Sequence, residues 1–63
     1  MKVREVERLL VRSGYELTRQ RGSHRQYRHP VLGTRLTVSG HPNDDMTSGQ
    51  LASLRPKTGL RLR

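Results

Sequence analysis

The spacing of apolar side chains changes once along this chain, and that change constrains the fold more than any other feature. Val3, Val6 and Leu10 recur at i, i+3 and i+7, one stripe of a helix over residues 3–12, with Arg4, Glu7, Arg8 and Arg12 expected to face outward. Ser13-Gly14 ends that helix, since Gly14 accepts the left-handed conformation of a C-terminal cap. Beyond it the period drops to two. Tyr15 to Arg19 alternates as a strand with Tyr15 and Leu17 on one face, and Gln20 to Ser23 reads as a turn. Arg25 to His29 forms a second strand stopped by Pro30, which cannot donate to a sheet ladder. Arg35 to Val38 forms a third strand, with Leu36 and Val38 inward.

After a polar loop over Gly40 to Asp45, Thr47 and Gln50 have the spacing of a capping box opening a second helix, and Leu51 and Leu54 give it an apolar stripe. Pro56 removes a backbone donor and disfavours helical geometry at Arg55, so this helix is expected to end near Leu54 or Arg55. The predicted order is α-β-β-β-α. It describes an α+β domain with a three-stranded antiparallel meander and two helices on one face, spanning residues 1–63 as a single unit. At 63 residues without Phe, Trp or Cys, the core is thin and has no disulfide to staple it. Such a chain buries only about 60% of its unfolded surface, which makes a partner subunit a reasonable expectation.

Charge narrows the function. The chain carries 13 Lys and Arg against 5 Asp and Glu, a formal charge of +8, and most of the cations are arginine, which grips phosphate bidentately. A field of that sign attracts nucleic acid, an anionic membrane surface or an acidic protein. No apolar run is long enough for a signal peptide or a membrane span, so a cytoplasmic protein is expected, without a membrane partner. Between Leu17 and Asn43 there is no acid at all, and this window holds Arg19, Arg21, Arg25, Arg28 and Arg35 with all three histidines. It reads either as a solvated basic surface or as a phosphate-handling site.

The segment Gly22 to Pro30 carries the sharpest chemistry. With Tyr27 inward, a period of two sends His24, Gln26 and Arg28 to the open face of the sheet, shared by Arg35 and Thr37 and open to Thr18. His24 there is either a polar turn residue or an acid–base group. Imidazole can accept a 2′-hydroxyl proton or protonate a leaving 5′-oxygen, while guanidiniums stabilise charge on the phosphate. His29 shares the parity of Tyr27 and is expected to pack at the sheet edge, and His41 lies in a loop. No histidine pair has i, i+4 spacing and no thiolate is present, so no metal site and no small-molecule cofactor is expected. Asp44-Asp45 reads as acids ahead of a helix N-terminus rather than a magnesium site.

The stretch Arg19 to Pro30, with its glycine-serine-histidine run at Gly22, Ser23 and His24, resembles the central motif of the HicA family of mRNA interferases. Lys2 to Tyr15 resembles that family's first helix and its exit, and Thr37 to Pro42 with Gly49 to Leu54 its third strand, loop and last helix. The resemblance implies a fold similar to a double-stranded-RNA-binding domain. It also implies a metal-independent endoribonuclease toxin that cleaves mRNA with His24 as the catalytic residue and is neutralised by a HicB-type antitoxin. Arg19, Arg21, Ser23, Arg25, Gln26, Arg28 and Arg35 are then the expected RNA-binding residues. Arg55 to Gly59 departs from the family's usual helix ending. Two alternatives remain: a non-catalytic RNA-binding module of the same fold, and a protein whose basic face serves only to meet an acidic partner.

Overall fold

Val3, Val6 and Leu10 line the buried side of α1 (Val3–Arg12) in the computed structural model, which describes residues 1–62. The first orphan donors of that helix are met by specific acceptors. The Lys2 amide donates to Glu5 Oε1 (3.0 Å), Val3 N–H to the Asp44 carbonyl (2.9 Å) and Arg4 N–H to the Pro42 carbonyl (3.0 Å), so the loop at 40–45 is tied to the start of α1. Asp44 turns its carboxylate into this loop, accepting from His41 N–H (3.0 Å), and Asp45 lies 3.9 Å from the Lys2 ammonium. The two acids therefore serve the loop and α1, whereas they were expected to serve the second helix, whose first turn contains no acid.

The chain leaves α1 through Gly14 at φ +95°, where a Cβ atom would stand 2.8 Å from His29 Nε2. His29 packs edge-on against Tyr15, with ring centroids 5.1 Å apart. Its Nδ1 accepts from the amides of Val31 (3.2 Å) and Leu32 (3.0 Å), which leaves Nε2 to donate to the Ser13 carbonyl (3.1 Å). The histidine predicted to pack at the sheet edge does so, pinning the end of α1 to the β2–β3 loop.

The strands are β1 (Glu16–Arg21), β2 (His24–Arg28) and β3 (Arg35–Ser39), antiparallel in the order β1-β2-β3. Leu36 and Val38 face the core with Tyr27, as the alternation predicted. β1 departs from expectation in two ways. It runs on to Arg21, narrowing the turn to Gly22-Ser23, and every residue in it is exposed, Leu17 at 49%. A register shift between Leu17 and Arg19 interrupts its pairing with β2.

Thr47 opens α2 (Ser48–Thr58) with both arms of the capping box: Gln50 N–H donates to Thr47 Oγ1 (3.1 Å), and Thr47 N–H to Gln50 Oε1 (2.8 Å). The helix does not stop before Pro56 but continues to Thr58. Pro56 and Ala52, the residue whose carbonyl loses its i+4 donor, are both exposed. The turn is closed by Gly59 at φ +68°, whose amide donates to the Arg55 carbonyl (2.8 Å), and by the Thr58 hydroxyl donating to the Leu54 carbonyl (2.9 Å). The tail folds back, Arg55 Nε binding the Leu62 carbonyl (2.6 Å), so that Leu62 joins Leu51 and Leu54 in the core. Among the described residues no helix is long and apolar enough to cross a membrane.

Candidate active site and nucleic-acid interface

The pleat gives the sheet two chemically distinct sides. On the helix-covered side, Arg25 is 9% exposed and its Nε donates to Glu7 Oε2 (2.8 Å), while NH2 donates to the Gly40 carbonyl (2.7 Å). The Tyr27 hydroxyl donates to the same Glu7 oxygen. Burial, then the hydrogen bond and negative charge of Glu7, push the Tyr27 hydroxyl well above the ordinary tyrosine value, with Arg25 opposing. Two expectations are corrected here. Glu7 does not face solvent, and Arg25 belongs to this internal network, so it leaves the RNA-contacting set. Glu7 had a legible signal: it lies four residues after Val3 and three before Leu10, on the border of the buried stripe.

The open side is organised by the register. Arg21 pairs with His24 and His24 with Ser39; Arg19 pairs with Gln26 and Gln26 with Thr37; Arg28 pairs with Arg35. Directly paired residues on antiparallel strands share a face, so these side chains form rows running across the sheet. The shift at Thr18 makes the rows possible. Leu17 pairs with Tyr27 on the covered side, and strict alternation would have sent Arg19 and Arg21 there too. The extra residue moves both arginines to the open side beside His24. Thr18 itself donates its hydroxyl to the Gln26 carbonyl (3.2 Å), across the irregularity.

Arg19, Arg21, His24 and Gln26 line a shallow depression of about 250 Å³. His24 Nδ1 lies 2.9 Å from Ser39 Oγ, so Nε2 is the ring nitrogen left for a ligand. Ser39 was not among the predicted site residues; its pairing with His24 is a matter of register, visible only once β2 and β3 are aligned. Ser23 occupies the turn just before His24, with its carbonyl accepting from Gly40 N–H (3.1 Å). His24, His29 and His41 fall in three separate surroundings, and among the described residues no group of three His, Cys, Asp or Glu is placed to hold a metal ion.

A family model described as the HicA toxin of bacterial toxin–antitoxin systems matches residues 3–60. The chain belongs to the HicA toxin family. No curated protein and no solved structure matches it. The match to the HicA family spans both helices, all three strands and the open face, and therefore takes in His24 and every residue of the rows around it. It also runs through Pro56, the point at which this HicA chain departs from the expected helix ending.

Proposed function

We propose that this HicA toxin is an mRNA-cleaving endoribonuclease in which His24 handles the proton of the attacking or leaving oxygen. The observation that carries the reading is one depression lined by His24, Arg19 and Arg21, with Nδ1 of the histidine engaged by Ser39 and Nε2 available. With Nδ1–H donating to Ser39 Oγ, Nε2 presents a lone pair to a 2′-hydroxyl. It takes that proton as O2′ bonds to phosphorus and the bond to O5′ breaks, and the departing oxygen is then protonated by imidazolium or water. Guanidiniums beside it balance the charge gathering on the phosphate oxygens, which makes the cleavage metal-independent. Arg19, Arg21, Ser23, Gln26, Arg28 and Arg35 contact the RNA, and a HicB-type antitoxin silences the toxin by covering this face.

His24→Ala should lower cleavage of mRNA by about 10²- to 10⁴-fold while RNA affinity and folding stay near wild type. Cleavage by the wild-type chain should persist in EDTA, and loss on chelation with rescue by magnesium would overturn the metal-independent step. If wild-type protein freed of antitoxin leaves mRNA intact while binding it, the domain is a non-catalytic RNA-binding module of the same fold.

A further inference from the structure

A second, larger depression of about 540 Å³ opens beside the first, and the two share Gln26. Its lining includes Arg28, Arg35 and Thr37 of the open face, Thr18 at the bulge, and Ser53 and Lys57 of α2, together with the edge of the core at Leu36 and Leu54. Three cations and three hydroxyls thus border one hollow. Lys57 lies in the part of α2 that continues past Pro56.

Arg28 and Arg35 are also direct cross-strand partners. Like charges placed opposite each other on a sheet face repel and destabilise the pair. Glu16 is paired with Arg28 from the other side, yet among the described residues it forms no ion pair with it. Two arginines paired across adjacent strands and lining one hollow with an ammonium and three hydroxyls are what an anion with several acceptor oxygens relieves.

We infer that Arg28, Arg35 and Lys57 form a second phosphate subsite for the RNA strand, a few nucleotides from the bond at His24. The inference rests on the ribonuclease reading for the position of the scissile phosphate. His24 and Arg28 are four residues apart on β2, about 13 Å along the strand, too far for both to serve one phosphate. Gln26, in both depressions, lies on the path between them. Phosphate is favoured over the carboxylates of an acidic protein because arginine forks and hydroxyls together match its tetrahedral set of acceptors, and because Gln26 lines both this hollow and the depression at His24.

The test uses the full chain, a fluorescently labelled single-stranded RNA long enough to cross both depressions, and a dinucleotide that fills only the first. Arg35→Thr and Lys57→Ala should each weaken binding of the long RNA by about 5-fold. Each should also flatten the dependence of log affinity on log salt by about 0.7, the signature of one lost phosphate contact. In cleavage, Lys57→Ala should raise KM for the long RNA with kcat unchanged, and should leave dinucleotide cleavage unchanged. Lys57→Arg should restore both affinity and salt slope. Arg35→Thr should raise the thermal midpoint by up to about 5 °C, because it removes a like-charge pair; a residue with a merely structural role would lower it.

An unchanged salt slope in both variants, or an effect that appears only on association with the antitoxin, overturns the subsite. Flattened slopes in a protein that cuts no RNA would uphold the subsite while refuting the ribonuclease reading.

Discussion

Arg25 and Arg28 stand three residues apart on one strand and have opposite fates. Arg25, on the covered side, is sealed against Glu7 and the Gly40 carbonyl. Arg28, on the open side, faces Arg35 and borders an open hollow. The side chains are identical and the pleat alone separates them. The covered side spends its polar groups on one another: every buried side-chain nitrogen and oxygen among the described residues has a partner. On the open side, Arg28 and Arg35 form no ion pair among the described residues. On the proposed reading, stability and RNA binding fall to opposite faces of one sheet, so substitutions on the two faces should separate the two properties.

The largest effect on stability is expected at Glu7. Glu7→Ala strands the Arg25 guanidinium, whose side chain is 10% exposed, without its counter-charge. Removing one partner of a buried pair costs about 3–5 kcal/mol, comparable to the whole stability of a scaffold of this size. Circular dichroism should show no cooperative unfolding transition at 25 °C, and a melt like that of the wild type would refute the division between faces. Gly14→Ala should follow, at about 1–3 kcal/mol, since it forces a side chain into positive φ and against His29 Nε2. The thermal midpoint reads it directly.

Tyr27→Phe is a milder probe of the same network, costing about 1 kcal/mol for the lost hydrogen bond to Glu7. It also tests the raised Tyr27 hydroxyl. Below pH 10.0 the hydroxyl is protonated whether the chain is folded or not, and its contribution is fully present. Above that value the unfolded chain loses the proton first, so stability should fall as pH rises. Urea midpoints measured above pH 10 should decline in the wild type and decline less in Tyr27→Phe; parallel curves would reject the assignment.

The smallest effect on stability belongs to the open face. Ser39→Ala should shift it by less than about 0.5 kcal/mol, yet lower RNA cleavage about fivefold by freeing the His24 ring, on the scale of about 1 kcal/mol for one hydrogen bond. Nitrogen NMR of the imidazole should show a changed Nδ1 and Nε2 protonation pattern, and Ser39→Thr should recover both readouts. Normal cleavage by Ser39→Ala would remove Ser39 from the positioning of His24.

Much of the architecture was legible. The stripe Val3, Val6, Leu10, the alternation of Leu36 and Val38, the Thr47–Gln50 box and the edge packing of His29 depend on neighbours within a few positions, and the structure contains all of them. The open-face placement of His24, Gln26 and Arg28 was legible for the same reason, being a consequence of Tyr27 facing inward. Three features were not. The bulge at Thr18 has no signature in Glu16 to Arg21, because a register shift is a property of two strands together. The helix through Pro56 contradicts local preference, and depends on Gly59 and on a tail anchored at Leu62. Arg25 shares the inward parity of Tyr27, but its neutralisation depends on Glu7, eighteen positions earlier in the chain.

The division follows from the range of the forces. Periodicity, caps and turn chemistry act over three or four residues, so the order of elements and the inward and outward sides of β2 and β3 are written in the chain itself. Which arginines meet His24, which one is neutralised by a carboxylate, and whether Lys57 reaches the sheet are set by contacts between segments distant in sequence. Those contacts exist only once the strands are in register and α2 is docked. The catalytic histidine proposed here could be read from the chain, whereas the charge around it was distributed by a one-residue shift between two strands.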